Sequence, residues 1–304
     1  HRQGERLLFE TRPYSSNGDV LTFYLQDLRF TSTPTVADLE WFTVEIPDQT
    51  FDSLVGVDDV RRRLDEALQY LHSPSSFAQE GIRPPMGYLL YGPPGTGKTS
   101  IAKAVANESN ARFIEVSGTT FERKFVGEGP QRVRKLFRTA RKYAPTVVFI
   151  DELDSVGSRD DHGASDSESR VSIVNTLLSV LDGFSSNEGV LVIGATNQKD
   201  KIDDALLRSK RLGRHLEVDG PDKVEEYVTL LRQELLDVGT PNADELAQDF
   251  ARWTVGMSPA EVVDTVREAR LVAYREGQER IQREHFVEAR NFVVFGDTQP
   301  EEDE

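Results

Sequence analysis

From about residue 52 the chain alternates short apolar runs with amphipathic stretches. The runs GYLLY (87–91), RFIEVS (112–117), TVVFID (146–151) and VLVIGAT (190–196) have the length and apolar character of strands in a sheet that is covered on both faces. Helical stretches such as SIAKAVANES (100–109) separate these runs, and VDDVRRRLDEALQYL (57–71), which precedes the first run, is amphipathic with the 3.6-residue period of a helix. This alternation predicts an α/β fold in which helices cover a parallel sheet.

The pattern changes on both sides of this α/β region. Residues 1–46 read as β segments around an Asn17-Gly18 turn, with a further strand in LEWFTVEIP (39–47). After about residue 220 four amphipathic stretches predict a small helical domain, and the third begins with a capping box, Ser258-Pro-Ala-Glu261. We therefore expect a β-rich N-terminal segment (1–46), a large α/β domain (47–219), a four-helix domain (220–296) and an acidic tail (297–304).

Composition narrows the classes of function mainly by exclusion. The formal net charge of −16 argues against non-specific nucleic-acid binding and against docking on anionic lipid. The chain has no cysteine, which excludes disulfides and thiolate metal sites and suits a reducing compartment. No apolar run approaches the roughly 20 residues of a membrane span. We expect a cytoplasmic, matrix or stromal location, and membrane association of the full-length protein stays open.

A phosphate-binding loop stands between the first of these strands and the helix that follows it. Gly92-Pro-Pro-Gly-Thr-Gly-Lys-Thr99 matches the Gly-x4-Gly-Lys-Thr pattern in its required strand–helix context. The glycines let backbone amides turn towards phosphate oxygens at the helix N-terminus. Lys98 is predicted to reach the β and γ phosphates of ATP, and Thr99 to hold Mg²⁺. The predicted binding residues are Pro94, Gly95, Thr96, Gly97, Lys98, Thr99 and Ser100.

Polar side chains stand at the ends of the last two apolar runs, TVVFID and VLVIGAT. Asp151 is predicted to hold Mg²⁺, and Glu152 to polarise the water that attacks the γ phosphorus. Asn197 is predicted to touch the γ phosphate or that water. Taken singly, each could be an ordinary polar residue at a turn. Together with the phosphate loop they predict a nucleoside triphosphatase.

The order of these motifs resembles the AAA ATPases over roughly residues 49–295, and most closely the ATPase domain of FtsH-type membrane metalloproteases. The resemblance implies ATP hydrolysis in a ring, normally a hexamer, that acts on polypeptide. It assigns Val55 and Gly56 to the adenine pocket, and Arg211 and Arg214 to arginine fingers that reach the neighbouring subunit's phosphates. The stretches that carry it are FDSLVGVDDV, GPPGTGKT, FVGEGPQRVRKLF, APTVVFIDELDSVG, LLSVLDGF and VLVIGATNQKDKIDDALLR.

The stretch KFVGEGP (124–130), which ends in a Gly-x-Gly-Pro breaker, is similar to the first pore loop of this family. The resemblance makes Phe125 the residue that grips polypeptide through non-directional apolar contact, with Val126 as its companion. The alternative is that Phe125 packs beneath its own loop. The acidic stretch 157–169 is either the second pore loop or a plain disordered loop. VLDGF (180–184) resembles the segment that couples neighbouring subunits.

Three features depart from the family pattern. The usual Arg-Pro-Gly-Arg-Phe-Asp-Arg loop is here Arg208-Ser-Lys-Arg-Leu-Gly-Arg214. This loop keeps the arginines but changes the residues that position the predicted arginine fingers. Pro259, which has no amide hydrogen, stands where the family has glycine at its second sensor. None of the five histidines forms the His-Glu-x-x-His motif of the FtsH proteases. Either a protease lies outside this chain, or the protein only unfolds or remodels its substrates.

The sequence therefore predicts an ATP-hydrolysing ring motor that threads, unfolds or remodels proteins. The alternative is a nucleotide-dependent assembly scaffold with slow turnover, which the altered 208–214 loop favours and Glu152 disfavours. A nucleic-acid translocase is a third hypothesis, disfavoured by the net charge and by Phe125 without interleaved basic residues.

Overall fold

The computed structural model describes residues 42–82, 86–121, 128–157, 164–183 and 189–296, with the backbone alone for 164–169. The chain divides into two compact units, residues 1–42 and 43–304, and the following account concerns the second. Several predictions fall outside the described residues: the β segments before residue 42, Phe125, Val126, Phe184, residues 158–163 of the acidic stretch and the tail 297–304.

Six strands of the described residues form one sheet in the order β1-β3-β4-β5-β2-β6. All neighbouring strands are parallel except β1, which is antiparallel to β3. The central strands β4 and β5 are buried along nearly their whole length, which explains their continuous apolar sequences. The strands are Thr43–Glu45 (β1), Gly87–Tyr91 (β2), Arg112–Ser117 (β3), Thr146–Asp151 (β4), Val190–Thr196 (β5) and Arg214–Glu217 (β6).

The four strands predicted from apolar runs, β2 to β5, are confirmed, and the two edge strands add to them. β1 falls within LEWFTVEIP, which the sequence assigns to the N-terminal segment, yet it pairs with β3 of the main sheet. β6 begins at Arg214, the last residue of the predicted finger loop, and pairs with β2. Both strands are short and partly exposed, so their sequences lack the apolar run that marks a buried strand.

Helices cover the sheet on both faces, as predicted. Alternate residues of β4 and β5, such as Phe149 and Ile193, pack against α1 and α3, while α4 and α5 contact the sheet through other residues. Within the described ranges, no helix is both long and apolar enough to cross a membrane. The helices of this region are Asp58–His72 (α1), Pro74–Gln79 (α2), Lys98–Glu108 (α3), Glu128–Lys142 (α4), Leu153–Gly157 (α5) and Ala164–Asp182 (α6).

The sequence pattern Gly-x-Gly-Pro at 127–130 predicts a break in regular structure, but the chain is helical from Glu128 onward. α4 begins at Glu128 and takes Gly129 and Pro130 into its first turn, where the missing N–H of proline costs no hydrogen bond. A Cβ on Gly129 would lie 2.6 Å from Cγ1 of Ile173 on α6. The glycine therefore serves the close packing of two helices.

Four helices follow β6, which confirms that part of the predicted fold: Val224–Asp237 (α7), Ala243–Thr254 (α8), Pro259–Arg275 (α9) and Arg283–Phe295 (α10). They enclose an apolar cluster in which the rings of Phe250 and Phe286 stack with centroids 4.0 Å apart. The predicted capping box starts α9, because Ser258 and Glu261 each bond the other's backbone amide. The exact domain boundary near residue 220 stays a prediction.

Candidate active site

The phosphate loop joins the carboxyl end of β2 to the first turn of α3. Gly97 caps α3 with φ +90°, a left-handed conformation that glycine adopts without strain. Gly95 has φ +75°, and a Cβ there would lie 2.9 Å from Oγ of Ser258 and 3.0 Å from Cβ of Ala260. Glycine at 95 thus permits both the turn of the loop and the approach of α9.

The Lys98 side chain folds back over this loop. Its ammonium donates to the carbonyl oxygens of Gly92 at 2.9 Å and Pro93 at 2.6 Å, and the residue is 8% exposed. Burial lowers the pKa of the Lys98 ammonium, and the charge of Asp151 acts in the opposite direction. No carboxylate within the described ranges forms an ion pair with Lys98, so a phosphate group would supply charge that this site lacks.

Asp151 and Glu152 lie where β4 ends, beside this loop. Burial raises the pKa of the Asp151 carboxyl, and a bound cation would reverse that effect. Glu152 has φ +48°, which is unusual for a residue with a side chain, so its backbone is strained at a site of predicted chemistry. Its amide donates to Oδ1 of Asp151 at 2.8 Å.

Ser117 holds the Glu152 side chain, and the sequence analysis did not find it. Ser117 Oγ donates to Oε2 of Glu152 at 2.9 Å. Ser117 ends β3 and is the register partner of Asp151 on the neighbouring strand. A polar residue at the carboxyl end of the strand next to β4 is the signal that could have identified it.

Asn197 follows β5 at the same edge of the sheet and is exposed to the cleft. The turn that carries it is fixed by Thr196, whose hydroxyl donates to Oδ1 of Asp154 at 2.6 Å and accepts from the Gln198 amide at 2.9 Å. Asp154 and Thr196 therefore stabilise the turn that positions Asn197.

These elements line one cleft of about 500 Å³. We call its polar part, made of the phosphate loop, Asp151, Glu152 and Asn197, the phosphate end. The opposite lining, made of Leu230, Glu234, Pro259, Ala260 and Val263 of α7 and α9, we call the helical wall. Among the predicted binding and catalytic residues, the cleft brings together Val55, Pro94, Gly95, Thr96, Gly97, Lys98, Thr99, Ser100, Asp151, Glu152 and Asn197.

Val55 and Gly56 take different places at the mouth of the cleft. Val55 lines it and packs against the apolar cluster of α7–α10. Gly56 is not among the lining residues; it has φ +75°, and a Cβ there would lie 2.9 Å from the Pro221 backbone nitrogen. Gly56 therefore permits a close backbone contact behind the predicted adenine pocket. Gln49, Ser53 and Glu234 also line the cleft, and the sequence analysis missed them.

The proline at the second-sensor position does not separate α9 from the phosphate loop. Pro259 lines the cleft, and the amide of the next residue, Ala260, donates to the Gly95 carbonyl at 3.2 Å. The helical wall and the phosphate end are thus joined by a backbone hydrogen bond.

The two predicted arginine fingers lie away from the chain's own cleft. Arg211 forms a two-point ion pair with Asp182, with N···O distances of 2.8 and 2.7 Å, and also donates to the Ala205 carbonyl. The guanidinium holds the Asp182 pKa below its ordinary value. Arg214 is the first residue of β6, and its guanidinium lies 3.5 Å from Glu66. Asp182 belongs to VLDGF, so Arg211 is tied to the segment that resembles the coupling region.

Comparison with known proteins agrees with this geometry. Residues 88–220 match the family described as "ATPase family associated with various cellular activities (AAA)". The chain is 41% identical over 254 residues to the "ATP-dependent zinc metalloprotease FtsH" of Ureaplasma parvum, covering 82% of this chain and 34% of that protein. It is 41% identical over 262 residues to "ATP-dependent zinc metalloprotease FtsH 2" of Salinibacter ruber, covering 84% and 38%. A third relative, FtsH of Acidimicrobium ferrooxidans, is 42% identical over 261 residues.

The chain spans a little over a third of the length of these relatives. The matched part contains the phosphate loop, both carboxylates and Asn197, the residues for which the sequence predicts roles in ATP hydrolysis. The predicted enzyme class, an ATP hydrolase, and the predicted resemblance are therefore confirmed. The chain carries an ATP-binding domain of the AAA ATPase family, similar over most of its length to the ATPase part of FtsH.

Proposed function

We propose that this chain is the motor part of a ring that uses ATP hydrolysis to pull on polypeptides and remodel proteins. The observation that carries the proposal is the single cleft in which Lys98, Glu152 and Asn197 meet the helical wall. Such a cleft can couple the state of the phosphates to the position of α9, because Gly95 and Ala260 are hydrogen-bonded to each other.

The residues of the phosphate end divide the work of hydrolysis between them. Lys98 neutralises the β and γ phosphates, and backbone amides of the loop bind their oxygens. Glu152 accepts a proton from the attacking water, and Asn197 orients that water or the γ phosphate. Thr99 and Asp151 would hold Mg²⁺, which supplies positive charge to the phosphoryl oxygens when bound.

Arg211 and Arg214 act across the interface with a neighbouring subunit, normally within a hexamer. A guanidinium from the next subunit stabilises the charge that develops on the phosphoryl group. Arg211 and Asp182 are joined by two charge-assisted hydrogen bonds. To reach the neighbouring subunit's phosphates, Arg211 must therefore break this ion pair or move together with Asp182. The ion pair therefore links finger position to the VLDGF segment.

Phe125 is proposed as the residue that grips the polypeptide, with Val126 beside it. The test is steady-state ATP hydrolysis with and without an unfolded polypeptide, for the native chain and for Phe125→Ala. Stimulation by polypeptide that disappears in Phe125→Ala supports a threading motor. Hydrolysis that is indifferent to both would leave an ATPase with another load, and Glu152→Gln sets the background rate.

A scaffold with slow turnover is the second candidate, and the Arg211–Asp182 ion pair is the observation that favours it. A finger that stays paired within its own chain gives no help to its neighbour. The two candidates are separated by Arg211→Ala and Asp182→Asn in preparations of equal assembly, measured by sedimentation. If Arg211 acts as an arginine finger, Arg211→Ala should abolish ATP hydrolysis and Asp182→Asn should retain it. If the Arg211–Asp182 ion pair only stabilises the fold, both variants should lower the melting temperature similarly and change the rate of ATP hydrolysis little.

A further inference from the structure

Glu234 is a carboxylate in a part of the cleft whose other side chains are largely apolar. It lies one helical turn after Leu230 on α7, and both line the cleft together with Val263 of α9. Leu54 and Val55 line it as well. An apolar lining of this kind suits a nucleobase, whereas a half-buried carboxylate in it requires a reason.

Nothing in the described part of the chain satisfies this carboxylate. Glu234 makes neither a side-chain hydrogen bond nor an ion pair there; Asp237 and Arg267 act on it only through their charge. Burial raises the pKa of Glu234, Asp237 raises it further, and Arg267 lowers it. The carboxylate is half-buried in the open cleft, and a ligand that fills the cleft would exclude water from it. A donor on that ligand would then replace the lost water and stabilise the carboxylate.

The chemistry of the cleft limits what that donor can be. The phosphates of ATP carry negative charge and bind at the phosphate end, so they cannot pair with Glu234. The nucleoside offers two kinds of donor, the ribose hydroxyls and the exocyclic amine of adenine. An ionised carboxylate accepts from either, and acidic residues bind ribose hydroxyls in other nucleotide-binding folds.

We infer that Glu234 is a specificity-determining residue that accepts a hydrogen bond from the nucleoside of the bound nucleotide. The inference rests on the assignment of this cleft to ATP. It gives the helical wall a polar contact that reads the ligand, in addition to the apolar contacts that bury it. Nucleotides without the donor would leave Glu234 buried and unpaired, and the site would reject them.

The test measures affinity directly, by displacement of an ATP analogue labelled on its terminal phosphate, so that ribose and base stay unmodified. Competitors are ATP, 2′-deoxyATP, 3′-deoxyATP and ITP, and the Glu152→Gln background prevents their turnover. Glu234→Ala and Glu234→Gln are compared with Glu225→Ala, an exposed acid on the same helix that lies outside the cleft.

We expect Glu234→Ala to weaken ATP binding about 10-fold, the range of one hydrogen bond to a charged group. One analogue should bind the unmodified site about 10-fold more weakly than ATP and lose this disadvantage in Glu234→Ala. A deoxy analogue with this behaviour identifies the ribose, and ITP identifies the exocyclic amine. Glu225→Ala should change none of these affinities by more than about 2-fold, because exposed charges interact weakly.

Three results would overturn the inference. Glu234→Ala that binds ATP as tightly or more tightly, with the ranking of analogues unchanged, would make Glu234 a solvated charge that repels phosphate. An equal loss for every nucleotide, together with a lower melting temperature, would make it a structural residue of α7. Failure of the labelled probe to bind the native site at all would instead refute the assignment of the cleft, and the inference with it.

Discussion

The phosphate end and the helical wall face the same cleft, yet they are built in different ways. The phosphate end is formed by strand termini and a loop, and its side chains are fixed by hydrogen bonds such as Lys98 to Gly92 and Ser117 to Glu152. The helical wall comes from α7 and α9, and only Ala260 is hydrogen-bonded to the loop. In the function that we propose, the phosphate end provides the chemistry and the helical wall holds and identifies the nucleoside.

The largest effect should come from removing the charge of the phosphate end. Lys98→Ala should lower kcat/KM for ATP by about 100-fold or more, since the buried cation that we propose to bind the phosphates is lost. The control is Lys103→Ala on the same helix, where the ammonium pairs with Glu45 and does not line the cleft. Equal activity losses in the two variants, measured by steady-state phosphate release, would contradict the division of roles.

Glu152→Gln should separate binding from chemistry within the phosphate end. Loss of a general base costs about 100-fold in kcat, whereas ATP affinity measured by displacement should stay within about 2-fold because the amide keeps the side-chain shape. If affinity and kcat fell together, Glu152 would contribute to binding rather than to proton transfer.

Gly95→Ala probes the point at which the two sides touch. The left-handed backbone at Gly95 costs alanine about 1 to 2 kcal/mol, and the added methyl would lie 3.0 Å from Cβ of Ala260. We expect α9 to be displaced from the loop and ATP affinity to fall about 10-fold, which corresponds to about 1.4 kcal/mol of binding free energy, because the helical wall would no longer fit the bound nucleotide. Normal affinity would show that the helical wall can retreat without cost to the phosphate end.

The smallest effect concerns the start of α9 alone. Ser258→Ala should lower the free energy of unfolding by about 1 kcal/mol through loss of the N-cap, with kcat unchanged. Ser258→Asn keeps a capping oxygen and should restore the melting temperature. A fall of kcat in Ser258→Ala without a change in melting temperature would mean that the cap serves the chemistry directly.

The same contrast explains what the sequence could predict. The phosphate loop, Asp151, Glu152 and Asn197 occur at fixed positions relative to apolar strands, and parallel strands bring their carboxyl ends to one edge. The strand pattern of β2 to β5 and the four helices after β6 were predictable for a similar reason, because burial imposes a local period.

The missed residues share a physical cause. Ser117 and Glu234 are single polar residues whose partners come from other elements, so no local spacing marks them. β1 and β6 are edge strands of three and four residues, too short for a periodic signal. Arg211 was assigned a family role from the sequence, but its partner Asp182 is 29 residues away, at the end of α6, so only the folded chain brings the two together.

The hydrogen bond from the Ala260 amide to the Gly95 carbonyl attaches the first turn of α9 to the phosphate loop. A tilt of α9 about this attachment is amplified along the length of the helix. The helix has 17 residues, so at 1.5 Å per residue it extends about 25 Å from that attachment. A tilt of about 10° at the loop would move the far end by about 4 Å, roughly the length of one extended residue of polypeptide. A small change of angle at the phosphate loop would thus displace the far end of α9 much more than it displaces the cleft.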